Sequence, residues 1–308
     1  MKTKSGLRLG LSLPQSFPDE RIDHGYLREY IRKAEALGFE DAWLTESILN
    51  PNFNLEPVTY LAYLAAVTER IRLGVAVIIL NTRNPVQLAK SLATLDQLSK
   101  GRLTVGIGLG AGTQNYAAFG VPVERRVARF EEAIEVVKAL WTEDRASLQG
   151  GFWRLADARM QPKPLQKPHI PIIFGGHSEP ALRRAVRMGD GWMAAGSTST
   201  DASFDSLRQI RGYLGEAGRK ESEFFLSKRI YIAIDDNERR ARERLSAALG
   251  YQYGGSDQSC TGLAAAPSRA VDVLGRLREA GAQHVLLNPA YDHMQQMDII
   301  VEKLVPQL

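Results

Sequence analysis

Residues 174–185, FGGHSEPALRRA, combine residue types that suit the binding of a phosphate group. Gly175 and Gly176 follow a predicted strand and let backbone N–H groups come close to a ligand. Ser178 stands at the expected N-cap of the next helix, whose first N–H groups and dipole favour an anion. His177 could donate a further hydrogen bond, although loop histidines are often simply exposed. A tight turn with a routine cap explains this fragment about equally well.

A second glycine-rich segment, VGIGLGAG at residues 105–112, resembles a dinucleotide fingerprint only superficially. Its glycines begin inside a predicted strand, and no acidic residue follows about 20 positions later at the end of a second strand. We therefore reject a Rossmann site. The small residues would instead leave room for a flat ring at the mouth of a barrel.

The ends of two further predicted strands carry residues that could contact such a ring or take part in chemistry at it. Glu46 follows the second strand in AWLTES, where barrels place catalytic groups, although a solvated loop carboxylate is equally consistent. Ala76 and Val77, near the end of the third strand, suit an apolar wall behind a planar ring, and ordinary strand packing explains them as well. Asn81 and Arg83 fit a packed core less easily.

Motifs for metal, hydrolytic or nucleotide chemistry are missing from the sequence. The histidines other than His177 are dispersed and show no HxxxH or other metal-ligand spacing: His24, His169, His284 and His293. We therefore predict no metal site. There is no GxSxG nucleophile motif and no P-loop, which disfavours hydrolase and NTPase functions.

The elements that would position these residues alternate between strand and helix patterns. The eight predicted strands cover residues 7–14, 42–45, 70–80, 103–109, 172–174, 191–194, 228–234 and 285–288. Helical segments separate them, which is typical of repeated βα units and a parallel sheet. Eight such units without a break in composition predict an α/β fold, a single (β/α)8 TIM-barrel domain over residues 1–308. Active sites of such barrels lie at the carboxyl ends of the strands, where the candidate residues fall.

Two stretches interrupt this alternation of strand and helix patterns. Residues 150–171 are aromatic and proline-rich, which predicts a hairpin-like insertion after the fourth strand. The glycine-rich loop YGGSDQSCTG, residues 253–262, predicts a second insertion between the seventh and eighth strands. We expect the substrate pocket to be shaped by loops around residues 51–55, 114–119 and 253–261, none of which has a motif that identifies the substrate.

Composition and charge are those of an ordinary cytoplasmic protein. The net charge is +4, but the basic residues are scattered among acidic ones, so nucleic-acid binding is not indicated. The single cysteine, Cys260, cannot form an internal disulfide, and the N-terminus lacks the apolar block of a signal peptide. The longest apolar stretch, residues 71–80, is far shorter than the roughly 20 residues of a membrane span, so we expect no membrane segment.

Beyond these patterns, the chain resembles the luciferase-like monooxygenase superfamily of flavin-dependent barrels, which includes bacterial luciferase, over nearly its whole length. The resemblance rests on four segments: EALGFEDAWLTE, TERIRLGVAVIILNTRNPVQLAKSLATLDQLSKGRLTVGIGLG, FGVPVERRVARFEEAIEVVKALWTED and PIIFGGHSEPALRRAVRMGDGW. Within the superfamily, the chain is most similar to the branch assigned to the deazaflavin coenzyme F420 rather than to FMN.

The resemblance implies cofactor-binding roles for several residues. One group would hold the cofactor phosphate: Gly175, Gly176, His177 and Ser178. Ala76 and Val77 match a site where relatives have a non-prolyl cis peptide behind the ring. The remaining positions would lie around the ring and the tail: Gly108 and Gly110 beside the ring, Trp192 near the tail, and Arg183, Arg184 or Arg187 beside the oligoglutamate of F420.

The chain also departs from its relatives. Several deazaflavin-dependent relatives have an Asp-His pair where this chain has Glu46 and Ser47, and others use a strand-four glutamate where it has Ala111 and Gly112. The proton donor is therefore unassigned, and Glu46 is the first candidate for acid–base work or contact with the ring.

Three functions remain open from the sequence. The leading hypothesis is hydride transfer between F420 and a small organic substrate. The second is an FMN-dependent monooxygenase that uses molecular oxygen and receives reduced flavin from a separate reductase. The third is a non-catalytic flavin-binding barrel. The resemblance also implies a homodimer.

Overall fold

Eight parallel strands close into a barrel in the computed structural model, which describes residues 1–110, 112–255 and 261–308. The strands of the chain are β1 (Arg8–Ser12), β2 (Asp41–Leu44), β3 (Arg72–Ile79), β4 (Leu103–Gly108), β5 (Ala146–Gln149), β6 (Arg154–Ala158), β7 (Ile172–Phe174), β8 (Gly191–Ala194), β9 (Phe225–Ile234), β10 (Leu263–Ala265) and β11 (His284–Pro289). The barrel order is β1-β2-β3-β4-β7-β8-β9-β11, and β11 pairs again with β1. The predicted TIM-barrel fold is confirmed.

Helices connect the strands on the outside of the barrel. They are α1 (His24–Ala36), α2 (Pro57–Val67), α3 (Pro85–Leu98), α4 (Arg126–Thr142), α5 (Glu179–Met188), α6 (Thr200–Glu216), α7 (Glu238–Gln252), α8 (Pro267–Glu279) and α9 (His293–Ile299). Local sequence sets several helix starts: the Asn84 side chain accepts the N–H groups of Val86 and Gln87 in the first turn of α3, and Pro85 has no N–H that would need an acceptor. The final helix, α9, passes into a π-helical turn at Ile300–Leu304.

The strands are buried on both faces, which explains their continuous apolar runs. Every residue of β4 and β11 is buried, and β9 is buried from Leu226 to Ile234. Outward-facing residues of the strands pack under the helices, while inward-facing ones fill or line the barrel interior. The strands therefore hold residues at their carboxyl ends rigidly.

The two insertions have different structures. The first is an antiparallel hairpin, β5–β6, whose tip is anchored because the Glu132 carboxylate accepts the N–H groups of Gly151, Phe152 and Trp153 at 2.7–2.9 Å. The second contains a short strand, β10, that the sequence did not predict. It pairs in parallel with the end of β9 and lies between α7 and α8. Residues 256–260 of this insertion, including Cys260, lie outside the described residues, as does Ala111.

None of the helices in the described part of the chain combines the length and the apolar character that crossing a membrane requires.

Candidate functional site

A cavity of about 480 Å³ opens at the carboxyl ends of β3, β4, β7 and β8. It brings together eight of the nine residues expected to contact the cofactor: Ala76, Val77, Gly108, Gly110, Gly175, Gly176, His177 and Ser178. Its other walls include Phe130, Phe174 and Met193, together with Arg184. We call this space the first cavity. Its apolar walls and few polar groups are typical of a cofactor site.

The loop after β7 exposes backbone donors toward this cavity. The Gly175 N–H donates to the Ile107 carbonyl at 3.0 Å. The N–H groups of Gly176, His177 and Ser178, by contrast, have no acceptor among the described residues. Ser178 occupies the N-cap position of α5, yet its hydroxyl makes no capping hydrogen bond. Three N–H groups without acceptors at a helix N-terminus are the kind of donor set that suits an anion such as phosphate.

Trp192 does not line the first cavity and instead supports its loop. The side chain is fully buried, and its Nε1 donates to the Gly176 carbonyl at 2.7 Å. The Gly176 carbonyl and the His177 N–H belong to one trans peptide, in which the C=O and N–H groups point in opposite directions. The hydrogen bond from the indole therefore turns the His177 N–H away from Trp192. The structure thus gives Trp192 a positioning contact with the predicted phosphate loop.

The glycines around this cavity are required by packing as well as by ligand access. A Cβ at Gly108 would lie 2.9 Å from the Val77 Cγ2, and one at Gly175 would lie 3.0 Å from the Val77 Cγ1. Gly176 has a φ of +109°, and a Cβ there would lie 2.9 Å from the Ala181 Cβ. A larger side chain at any of these positions would displace Val77 or the start of α5.

Strand β3 changes register beside the first cavity. The Ala76–Val77 peptide bond is cis, as the family resemblance implies, and the pairing of β3 with β4 shifts between Val75 and Ile78. Ile78 is fully buried, whereas Ala76 and Val77 line the cavity. The irregularity therefore directs two small apolar residues toward the ligand space.

Glu46 is held in a buried ion-pair network rather than left as a solvated loop acid. Its Oε1 accepts from Arg83, with the Nε at 2.7 Å and a closer Nη2, and its Oε2 accepts the Ile79 N–H at 2.5 Å. Arg83 also pairs with Glu56 at 2.8 Å. Burial raises the pKa of the Glu46 carboxyl above its ordinary value, and the charge of Arg83 opposes this shift. Both carboxylate oxygens thus hold the segment that follows the cis peptide.

Asn81, the other polar residue at this strand end, faces away from the ligand space. It is 1% exposed, and its amide donates to the Arg126 carbonyl at 2.9 Å and to the Tyr116 hydroxyl at 3.3 Å. Tyr116 in turn donates to the Leu109 carbonyl at 2.8 Å. Asn81 therefore fixes the loop between β4 and α4, and residues 114–119 do not line the first cavity.

A second cavity of about 700 Å³ lies beside the first, between the carboxyl ends of β1, β2, β9 and β11. The two cavities share four lining residues: Ala76, Val77, Gly110 and Arg229. Most polar side chains that line the second cavity are uncharged: Ser12, Gln15, Ser16, Thr45, Ser47, Asn50, Asn54, Tyr231, Tyr251, Gln252, Tyr253 and Asn288. Glu46 and His293 also line it, and burial lowers the pKa of His293 to about 4.

Several residues of this second cavity were not predicted from the sequence. Arg229 and Tyr231 lie on β9 with their side chains toward the barrel interior, and Asn288 lies on the neighbouring β11. The sequence did contain an indication of Arg229 and Tyr231, because an arginine two residues before a tyrosine within a buried strand places two polar groups on the same face of the sheet. Of the three predicted pocket loops, those near residues 50–54 and 251–253 do contribute to the second cavity.

The arginines proposed for an oligoglutamate tail are already paired with carboxylates. Arg183 pairs with Glu179 and Glu216 on the protein surface. Arg184 and Arg187 share Glu131, each at 2.7 Å, and only Arg184 of the three lines the first cavity.

The histidines other than His177 are not gathered into a site. His284 is fully buried between the Ser227 hydroxyl at 2.8 Å and the Asp41 carboxylate at 3.0 Å, inside the barrel. Over residues 1–110, 112–255 and 261–308, no group of three or more His, Cys, Asp or Glu side chains is arranged to hold a metal ion.

Comparisons with known proteins agree with this architecture. The model of the family described as luciferase-like monooxygenase matches residues 7–300. The FMNH(2)-dependent dimethylsulfone monooxygenase of Pseudomonas putida is 32% identical over 236 residues, covering 74% of this chain and 63% of that protein. The F420-dependent glucose-6-phosphate dehydrogenase of Kineococcus radiotolerans is 30% identical over 234 residues, covering 73% and 68%.

A solved structure is similar over almost the whole chain. Monooxygenase RslO1 from Streptomyces bottropensis has a TM-score of 0.82 at 25% identity, covering 97% of this chain and 99% of that one. Among the curated relatives, the matched region covers between 58% and 76% of the relative's length.

Proposed function

The chain belongs to the luciferase-like monooxygenase family, and from this premise we propose that it is an oxidoreductase that binds coenzyme F420 in the first cavity. In this proposal a hydride passes between F420 and a small organic substrate held in the second cavity. The observation that carries the proposal is the convergence of eight expected cofactor residues on one cavity, whose rim presents three N–H groups without acceptors among the described residues.

The residues of the first cavity fit such a cofactor. The N–H groups of Gly176, His177 and Ser178 would hold its phosphate, and Trp192 keeps their loop in place. Val77 would form the wall behind the ring, since Gly108 and Gly175 leave its side chain room on both sides. When bound, the cofactor supplies the hydride chemistry, and the chain supplies binding and orientation.

The second cavity is the proposed substrate site because of its place and its polarity. It shares Val77 and Gly110 with the first cavity, so occupants of the two cavities would be neighbours. Its hydroxyl and amide groups can orient a polar substrate. We infer a positioning role for Glu46, because both of its oxygens are committed to Arg83 and the Ile79 N–H.

An FMN-dependent monooxygenase is the second candidate. The comparable identity to an FMNH(2)-dependent monooxygenase, 32% against 30% for the F420-dependent dehydrogenase, favours neither cofactor. This candidate requires molecular oxygen and a reductase partner that supplies reduced flavin. For either cofactor, we propose a cytoplasmic homodimer, on the strength of the family resemblance.

Cofactor titration tests the proposal. We would titrate the protein separately with F420 and FMN and follow quenching of tryptophan fluorescence. Tight, selective binding of F420 is expected, selective binding of FMN would move the monooxygenase to first place, and binding of neither would refute the cofactor site. Cofactor binding without turnover over a broad substrate panel would support the non-catalytic barrel.

A matched pair of glycine variants locates the site. Gly176→Val places a side chain at a φ of +109° and against Ala181, so we expect loss of cofactor binding. Gly218→Val introduces the same side chain at a φ of +65°, at the end of α6, where no atom lies within 4 Å of the new Cβ. Both variants carry backbone strain, but only the first should lose the cofactor.

A further inference from the structure

Arg229 is a buried cation in the wall that the two cavities share. The residue is 9% exposed, and its side chain lines both the first and the second cavity. It lies on β9, a strand buried along almost its whole length, so its position is fixed by the barrel. Arg229 is the charged residue among the four that the two cavities share.

The contacts of Arg229 are all with neutral groups. Its Nη2 donates to the Tyr231 hydroxyl at 2.8 Å, and its Cζ lies 4.8 Å from the centroid of the same tyrosine ring. The Asn288 amide is oriented so that its nitrogen donates to the Ser12 hydroxyl and its oxygen accepts from the Arg229 Nη2 at 2.7 Å. Within the described ranges, Arg229 has no carboxylate partner, and its Nη1 has no hydrogen-bond acceptor.

Two other arginines of low exposure have their charge accounted for by protein contacts. Among the described residues Arg102 has no carboxylate partner, but its Nε, Nη1 and Nη2 donate five hydrogen bonds, four of them to backbone carbonyls, of which those of Ala65 and Thr68 lie at the C-terminus of α2. There the helix dipole stabilises a cation as well. Arg83 is shared by two glutamates. A structural role thus accounts for Arg102 and Arg83, whereas Arg229 keeps an unused donor at a cavity.

Among the described residues, the surroundings of Arg229 offer no negative charge to balance it. Glu46, the carboxylate that lines the second cavity, is bound by Arg83. No Asp or Glu is among the described residues that line the first cavity. A buried charge without a counter-ion is costly, so a ligand that supplies the counter-ion would be stabilised at this position.

We propose that the second cavity binds a small organic acid, whose carboxylate pairs with the Arg229 guanidinium. The Tyr231 hydroxyl accepts from Nη2 at 2.8 Å and holds the guanidinium at the cavity wall. A planar fork of donors suits a carboxylate better than a single point charge would. This proposal rests on the proposed function, because it treats the second cavity as the substrate site.

The same chemistry could come from the cofactor, since a reduced flavin-type ring also carries delocalised negative charge. The test therefore measures both ligands. Benzoate and benzamide, and hexanoate and hexanamide, are pairs of similar shape that differ in charge. Their dissociation constants would be measured by calorimetry with protein in the cofactor-free and cofactor-loaded states, alongside the affinities for oxidised and reduced cofactor.

We expect wild-type protein to bind at least one acid about tenfold or more tightly than its amide, because hydrogen bonds to charged groups are stronger than neutral ones. Arg229→Gln should abolish this preference, and Arg229→Lys, which keeps the charge, should retain part of it. Arg72→Gln removes an equal charge at the opposite end of the barrel, where Arg72 lines a different cavity, and should leave the preference unchanged.

Two results would overturn the proposal. One is an absence of acid preference in the wild-type protein. The other is an acid preference that survives in Arg229→Gln while the affinity for reduced cofactor falls, which would assign Arg229 to the cofactor. Failure of the proposed function looks different, because wild-type protein would then bind neither F420 nor FMN while the acid preference in the cofactor-free state remained.

Discussion

Replacing Arg83 with methionine should destabilise the protein far more than neutralising its partner Glu46. The Glu46 side chain is fully buried, and in Arg83→Met it would keep its charge without a cation to balance it. Removal of one partner from a buried ion pair costs about 3–5 kcal/mol, and we expect the lower end because Arg83 is 23% exposed. At roughly 2–4 °C per kcal/mol, the melting temperature should fall by about 6–12 °C.

Glu46→Gln, by contrast, removes the buried charge itself. The burial that raises the pKa of Glu46 means that its ionisation already costs stability at neutral pH, which offsets the attraction to Arg83. Arg83 keeps Glu56, and the amide oxygen of glutamine can still accept the Ile79 N–H. We therefore expect a change within about 1 kcal/mol, and the double variant should recover most of the loss in Arg83→Met.

The loss of stability in Arg83→Met should depend on pH. A carboxyl whose pKa is raised in the folded state favours folding when protonated, and that contribution is lost as pH rises through the folded pKa. The deficit of Arg83→Met should therefore shrink as pH falls from 7 toward 5. Thermal unfolding at several pH values measures it, with Arg145→Met as control, because the Arg145–Asp157 pair is more than half exposed and contributes little. Equal losses in Glu46→Gln and Arg83→Met would refute the reasoning.

Three further predictions concern positioning contacts. Trp192→Phe removes the hydrogen bond to the Gly176 carbonyl, worth about 1 kcal/mol, so cofactor affinity should fall about fivefold, as measured by fluorescence titration. Trp141→Phe, which removes an equivalent bond to the Ala89 carbonyl far from the loop, should leave that affinity intact, and an equal fall in both would argue against the positioning role. Burial lowers the pKa of Lys228 to about 7, so wild-type stability against urea should rise as pH increases from 7 toward 10. Lys228→Met should flatten that dependence, and a slope that persists in the variant would exclude Lys228 as its source. Glu46→Gln should also keep cofactor affinity and turnover if Glu46 only positions β3, whereas loss of turnover with unchanged affinity would restore it as an acid–base candidate.

The barrel and the position of the glycine loop after β7 were predictable from the sequence because local patterns encode them. Strands buried on both faces give continuous apolar runs, and a glycine pair between a strand and a helix marks a close approach of the backbone to a ligand. Side chains alternate along β8, so Trp192 and Met193 lie on opposite faces, and Met193 lines the first cavity while Trp192 does not. The resemblance to relatives had implied only a place for Trp192 near the cofactor tail.

The Glu46–Arg83 pair and the short strand β10 could not be predicted in the same way. Glu46 and Arg83 lie 37 residues apart in segments that follow different strands, and no periodicity relates them. Strand β10 has three residues, too few for an alternating pattern, and its pairing depends on the extension of β9 beyond the barrel. Both features arise only when the closed barrel brings distant segments together.

Strand β9 connects the two halves of the site through adjacent residues. Lys228 points outward, and its Nζ donates at 2.6 Å to the carbonyls of Ala195 and Thr198, which belong to the loop that lines the first cavity. Arg229 points inward to both cavities. Because the strand is buried from Leu226 to Ile234, neither side chain can move without repacking the core. The strand therefore fixes the distance between the loop that contains Ala195 and Thr198 and the Arg229 guanidinium. In the proposed substrate site, we expect differences in substrate size to be accommodated by the loops near residues 50–54 and 251–253.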